Sequence, residues 1–189
     1  MQNGNDRHVF LATFPASRRD RNVALWVVGV SAILFALVVP YAGLALTPVP
    51  AFVASYQSAL AISDIITAAL LLAQFSVLRT RALLLLSSGY LFTAMAAVAH
   101  ALTFPGLFAP GGLLGAGPQT TVWLFMIWHG GFPLLVLGYA LSKADGGGPK
   151  VAASVPGAIS ATILVVVGVI LGLVYLVTAK HDLLPVLLS

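Results

Sequence analysis

The sequence predicts an all-α protein, a polytopic transmembrane helical bundle with about five spans. Of its 189 residues, 60% are hydrophobic and only 7% are charged, whereas a water-soluble domain is about 25% charged. The apolar residues form continuous blocks, each close to the roughly 20 residues that a helix needs to cross a bilayer. The blocks lack the alternation of polar and apolar residues found in outer-membrane barrels, and lipid cannot satisfy free backbone groups, so helices are expected.

Polar, glycine-rich or proline-rich breaks separate the predicted spans. The spans cover residues 23–46, 56–78, 82–102, 120–141 and 158–177. The first block is longer than the apolar part of a cleavable signal peptide, roughly 7 to 15 residues, and is therefore predicted to be a true span. The chain thus divides into an N-terminal segment, 1–22, a transmembrane bundle, 23–180, and a last segment, 181–189.

The basic residues orient the chain in the bilayer. Eight of the nine Lys and Arg residues fall on one side of the predicted membrane, and only Lys180 falls on the other. The positive-inside rule places segment 1–22 in the cytoplasm and segment 181–189 outside. Because the net charge of +4 comes from residues that flank the spans, the expected partner is the lipid bilayer and not nucleic acid.

Three connecting segments differ in character. The inner linker 144–149 is rich in glycine and predicts a flexible connector. The outer segment 104–118 is uncharged and apolar, so it is expected either to fold over the outer mouth of the bundle as a lid or to lie as an ordinary loop among lipid headgroups. Segment 181–189 ends in apolar residues, which favours continuation into further spans over a short outer tail.

Three ionisable side chains lie inside the predicted spans: Asp64, His100 and His129. Such groups are costly in a membrane and are functional candidates by default. At about 1.5 Å per residue, Asp64 and His129 lie roughly 12 to 14 Å below the outer ends of their spans, and His100 lies about 3 Å below. We expect the three side chains to line an outward-opening pocket under segment 104–118.

Polar and aromatic neighbours extend this candidate ligand-binding site. Its further members are Gln57, Thr67, Tyr90 and Trp128. Thr67 follows Asp64 by three residues and so shares its helix face. The glycines and proline after His129 predict a kinked or loosened fourth helix. The alternative is that Asp64 pairs with His129, or with a tyrosine or threonine, only to fix the helix register.

Several ligands fit the chemistry of these groups. The chain has no cysteine, so a metal ion would be bound by His100, His129 and Asp64, which suit Zn, Cu or Ni, and the two histidines are also candidate haem ligands. A small organic ligand or a quinone is an equal alternative, and so is a protonation switch. No catalytic residue is predicted, because no serine or thiol nucleophile lies at the depth of Asp64 and His129 and no HExxH motif occurs.

The fifth span contains Gly168 and Gly172, a GxxxG spacing that lets another helix approach closely. Packing within one subunit and a homodimer contact both explain this spacing.

Several short motifs in fixed order resemble a known family. They are SYQSAL at 55–60, DIITA at 64–68, QF at 74–75, GYLFTA at 89–94, HALTFPG at 100–106, GAGPQTT at 115–121 and WHGGFP at 128–133. Together they resemble the fourth type of bacterial MASE (membrane-associated sensor) domain, over most of the chain from the first span to about Pro185. The resemblance implies an N-terminal sensory module of the inner membrane, attached to a cytoplasmic histidine kinase of a two-component system or to a diguanylate cyclase. It also implies further spans, and neither a GGDEF signature nor a kinase phosphoacceptor box occurs in these residues.

Two function classes compete. In the first, the bundle is a sensory input domain that binds a ligand or ion and signals to a cytoplasmic output domain. In the second, it is a small transporter or proton conductor with Asp64 and His129 as relay groups. A relay needs polar residues that continue inward. Below Asp64 we find Gln74, and below His129 almost nothing except Ser142, so a complete polar path is lacking. The sensory domain is therefore predicted, and the chain itself is not expected to be an enzyme.

Overall fold

The computed structural model describes residues 17–44, 47, 49–144 and 150–187. It contains five α-helices that are long and apolar enough to cross a membrane: α1 (Arg18–Val38), α2 (Pro50–Leu78), α3 (Arg81–Thr103), α4 (Thr120–Ala144) and α5 (Val155–Ala179). These described ranges contain no β-strand, so the predicted all-α fold with five spans is confirmed. Most of the predicted N-terminal segment and the glycine-rich part of linker 144–149 lie outside the described residues.

Two helices, α1 and α2, begin five or six residues earlier than the hydropathy pattern predicts, and the residues at both starts suit the beginning of a helix. At the start of α1, Ser17 Oγ accepts from the Asp20 N–H (3.2 Å) and the Asp20 carboxylate accepts from the Ser17 N–H (2.9 Å). This capping box satisfies two N–H groups that the helix leaves free. α2 begins with Pro50, whose fixed φ suits the first turn and whose missing N–H has no helical partner there.

The chain divides into two compact units, with the boundary between residues 48 and 49. The first unit contains α1, and the second contains α2 to α5. In the second unit α3 is the central helix and packs against α2, α4 and α5. Many buried residues of α3 are alanines: Ala82, Ala94, Ala96, Ala97 and Ala99. Small side chains allow close helix packing in a membrane, where the hydrophobic effect does not drive helices together.

Glycines on α3 and α4 receive aromatic rings from the opposite helix. A Cβ placed on Gly131 of α4 would lie 2.8 Å from the ring of Phe92 on α3. A Cβ placed on Gly89 of α3 would lie 3.4 Å from the ring of Phe132 on α4. The two helices therefore pack closely at two neighbouring levels, and at each level an aromatic ring of one helix lies against a glycine of the other.

A short turn joins α2 to α3 in an antiparallel hairpin. Arg79 ends α2 in the left-handed conformation, with φ of 53°, and its carbonyl accepts a hydrogen bond from the Val151 N–H (2.9 Å). Thr80 and Lys150 form an isolated β-bridge beside it. The segment that leads into α5 is thereby fastened to the hairpin turn.

Hydrogen bonds close the opposite end of the second unit. The Leu113 N–H in the α3–α4 connection donates to the Leu102 carbonyl (2.8 Å). Thr120 Oγ1 accepts from the Gly117 N–H (2.9 Å) and donates to the Val177 carbonyl (2.8 Å). The start of α4 is thus joined both to the connection before it and to the end of α5.

The segment after α5 returns to the start of α4. Trp123 Nε1 donates to the Pro185 carbonyl (3.1 Å), and Gln119 Oε1 accepts from the Leu187 N–H (2.9 Å). The described part of segment 181–189 is therefore bound to the bundle at this end.

The interlocked packing of α3 and α4 predicts a difference between two adjacent glycines. Gly131→Ala must displace the buried Phe92 ring, which we expect to cost about 1–3 kcal/mol and to lower the unfolding midpoint in detergent by several degrees. Gly130→Ala is the matched control, because a Cβ there meets no atom within 4 Å and alanine favours helix. Equal midpoints for the two variants, measured by thermal unfolding, would contradict this packing.

Candidate functional site

A cleft of about 370 Å³ lies on α3 between α2 and α4, and we call it the α2–α4 cleft. Its lining residues come from all three helices: Tyr56, Leu60 and Asp64 of α2, Tyr90 and Thr93 of α3, and Trp128, His129, Phe132 and Pro133 of α4. Tyr56 and His129 are exposed, so the cleft opens at the flank of the second unit.

Asp64 lies at the midpoint of α2. Fourteen residues separate it from Pro50 and fourteen from Leu78, which corresponds to about 21 Å in each direction. This is deeper than the sequence predicted, because α2 begins six residues before Tyr56. The half-buried carboxyl is therefore far from both ends of its helix.

Thr93 links Asp64 to α3. The Thr93 hydroxyl lies 2.5 Å from Asp64 Oδ2 and 2.9 Å from the Tyr90 carbonyl oxygen. The hydroxyl donates to both acceptors, and because it carries one proton the Asp64 carboxyl and the Tyr90 carbonyl share it. Of the partners that the sequence left open for Asp64, the structure thus selects a threonine.

His129 is held by its own helix. Its Nδ1 lies 2.9 Å from the Phe125 carbonyl oxygen, and because a carbonyl only accepts, Nδ1 carries the proton. In the neutral ring, Nε2 is then a free acceptor. Pro133 has no N–H and cannot donate to the His129 carbonyl four residues earlier, so this carbonyl loses its usual helical partner. The α4 side of the cleft therefore offers an imidazole together with a backbone acceptor.

Aromatic rings form most of the cleft wall. Tyr90 and Phe132 pack edge to face, with ring centroids 5.4 Å apart. The buried Trp128 ring lies 4.6 Å from the ring of His129. This combination of flat apolar walls with few polar groups is typical of sites for small organic ligands.

Gln57 and His100 form a separate buried pair. The Gln57 side-chain amide donates to Nδ1 of His100 (2.5 Å), and neither residue lines the α2–α4 cleft. The His100 ring is surrounded by Phe104, Phe125 and Trp128, with ring centroids 5.7 to 6.4 Å away. Trp128 thus touches both histidines and separates the pair from the cleft.

Segment 104–118 contacts the His100 ring through its first residue, Phe104, and does not line the α2–α4 cleft. The predicted lid is therefore absent from this cleft.

The structure brings together some of the predicted site residues and not others. Asp64, Tyr90, Trp128 and His129 line one cleft, whereas Thr67 donates to the carbonyl of Ser63 in its own helix (2.8 Å). The described residues contain no group of three or more His, Asp or Glu side chains that could bind a metal ion. The geometry therefore adds no support for a metal or haem site at Asp64, His100 and His129.

Phe132 and Leu60 contribute to the wall without having been singled out as ligand-binding residues. Helical spacing could have indicated both residues. Leu60 precedes Asp64 by four residues and Phe132 follows Trp128 by four, so each shares a helix face with a predicted site residue.

Comparison with known proteins identifies the family. The MASE4 family model, described as a membrane-associated sensor, integral membrane domain, matches residues 47–189. This range is well over half of the chain and contains α2 to α5 and the entire cleft. No curated protein and no solved structure matches the chain. The chain therefore belongs to the MASE4 family of membrane-associated sensor domains.

Proposed function

We propose that this membrane sensor domain binds a small ligand in the α2–α4 cleft and signals to a cytoplasmic output domain, such as a histidine kinase or a diguanylate cyclase. The family match supports the sensory role. The observation that carries the ligand site is the convergence of Asp64, Thr93 and His129 on one cleft at the middle of the bundle. In this proposal the protein lies in the inner membrane of a bacterium with its N-terminus in the cytoplasm, and any enzymatic activity belongs to the output domain.

The opening of the cleft between two helices favours a ligand that enters from the lipid. Tyr56 and His129 are exposed at this opening, and aromatic rings line the walls. A small, flat organic molecule with hydrogen-bonding groups fits this lining better than a metal ion, since the described residues provide no cluster of metal ligands.

The Asp64–Thr93 hydrogen bond suggests how binding changes the bundle. It joins the middle of α2 to α3, and a ligand that takes the hydrogen bond of Asp64 Oδ2 would displace the Thr93 hydroxyl. The hairpin of α2 and α3 ends at Arg79, whose carbonyl is bound to Val151 before α5. A shift of α2 on α3 would therefore reach α5 and whatever follows it.

The apolar core between the cleft and the hairpin turn disfavours the transporter alternative. Leu71, Phe75 and Leu83 are buried there, with Phe75 fully enclosed. Below Asp64, the Thr67 and Ser76 hydroxyls of α2 donate to carbonyls of their own helix, and Gln74 Oε1 is buried without a hydrogen-bond partner among the described residues. A proton relay from Asp64 would have to cross this apolar layer.

A homodimer through α5 remains part of the proposal. A Cβ placed on Gly168 or Gly172 meets no atom within 4 Å, so contacts among α2 to α5 do not account for the GxxxG spacing. Association of two copies along this face would account for it.

Thr93→Val keeps the shape of the side chain and removes its hydroxyl. We expect it to break the link between α2 and α3 and to lower stability by about 0.6–1.7 kcal/mol, the range for hydrogen bonds between membrane helices. Thermal unfolding in detergent measures the loss. Thr67→Val is the matched control, because Thr67 donates only within its own helix. An equal effect of both substitutions would show that Thr93 does not join the two helices.

His129→Ala tests the ligand site in the full-length receptor. The exposed His129 side chain contributes little to the core, so we expect normal membrane insertion but an output activity that no longer changes across growth conditions that alter the wild type. Met126→Ala on the exposed part of the same helix, outside the cleft, should respond normally. A normal response from His129→Ala would remove this residue from the site.

A further inference from the structure

A second cavity lies beside α5, between the level of the α2–α4 cleft and the α2–α3 turn. It has a volume of about 600 Å³, and we call it the α3–α5 groove. It is lined by Arg81, Leu84, Leu85 and Ser88 of α3, Ser142 of α4, Val151 and Ala153 before α5, and Ala158, Ala161, Thr162 and Val165 of α5. On α3 and on α5 the lining positions are spaced by three and four residues, so each of these two helices contributes one continuous stripe.

The groove exists because α4 does not join the core at this end. The buried residues here, Leu71, Phe75, Leu83 and Ala158, belong to α2, α3 and α5. α4 contributes to the core nearer the opposite end, through Leu124. The space beside the N-terminal half of α5 is therefore left open, and the small side chains of the alanines that line it add to its width.

The walls of the groove are apolar although three hydroxyl residues line it. Ser88 Oγ donates to the Leu84 carbonyl (2.7 Å), and Thr162 Oγ1 donates to the Ala158 carbonyl (2.9 Å). Both hydroxyls are thus satisfied by their own helices and present mainly carbon to the groove. From Arg81 to Ser88 the apolar stripe extends for about 10 Å along α3, which suits part of an extended hydrocarbon chain.

Positive charge is concentrated at one end of the groove. Arg81 lines its entrance, and the contact of the hairpin turn with the segment before α5 brings Arg79 and Lys150 to the same end. The acidic residues of the described second unit are Asp64, in the middle of α2, and Asp182, after α5, so neither lies at this end. α3 also begins here, and its N-cap residue Thr80 makes no side-chain capping bond, which leaves helix N–H groups available to an anion.

We propose that the α3–α5 groove binds one anionic phospholipid, with an acyl chain between α3 and α5 and the headgroup phosphate at Arg81. Basic pockets between membrane helices near the interface are suited to such headgroups, and the apolar walls reject a free inorganic phosphate as the main occupant. The site is independent of the ligand cleft and involves none of its lining residues.

Native mass spectrometry of the purified full chain tests this inference. The protein in detergent is mixed with dioleoyl phosphatidylglycerol or dioleoyl phosphatidylcholine, which differ in headgroup and share their chains. We expect one phosphatidylglycerol to be retained in preference to phosphatidylcholine, and Arg81→Gln to weaken that retention about fivefold, as for one basic residue near a membrane surface. Lys180→Gln, which removes a charge at the opposite end of α5, should have no effect.

A second pair of variants tests the apolar part of the groove. Ala161→Leu places a larger side chain in the groove and should lower retention of both lipids, whereas Ala179→Leu, at the far end of α5 and outside the groove, should not. Both alanines are exposed, so neither change disturbs the core.

Equal retention of the two lipids by the wild type, or equal effects of Arg81→Gln and Lys180→Gln, would overturn the proposal. A lipid-free dimer that Ala161→Leu dissociates would assign the groove to a second copy instead.

Discussion

The close packing of α3 against three other helices is the constraint on which the rest of the second unit depends. Between membrane helices the hydrophobic effect contributes little, so contact area and interhelical hydrogen bonds determine how they assemble. α3 provides both. Its alanines and Gly89 let the neighbouring helices approach closely. Two hydrogen bonds, Asp64–Thr93 and Gln57–His100, join α2 to α3.

The path of α4 creates both cavities. Where Phe92 packs against Gly131, α4 is held on α3, and the gap between α2 and α4 forms the α2–α4 cleft. Toward the hairpin turn α4 leaves the core, and the groove opens beside α5. The two spaces differ in chemistry because the cleft receives the side chains of Asp64 and His129, whereas the hydroxyls of Ser88 and Thr162 in the groove bond back to their own helices.

The sequence did not predict that the candidate residues divide into two groups, those that line the α2–α4 cleft and the separate pair of Gln57 and His100. Ionisable residues inside the spans singled out Asp64 and His129, and both line the α2–α4 cleft. His100 met the same criterion and lies elsewhere, paired with Gln57. Helical spacing placed Thr67 beside Asp64, yet only a specific rotation of α2 decides which of two side chains on one face meets α3.

The sequence by itself determined the membrane environment, the all-α fold, the number of spans and the family, since these depend on composition, on the length of apolar blocks and on motifs in fixed order. The tertiary structure alone decided that α3 is central, that Asp64 pairs with Thr93, and that the cleft opens at the flank instead of under segment 104–118. The reason is physical. A membrane helix is apolar on nearly every face, so its hydropathy specifies that it crosses the bilayer but not which face meets which neighbour. That choice depends on side-chain shape and on hydrogen bonds between residues far apart in the chain.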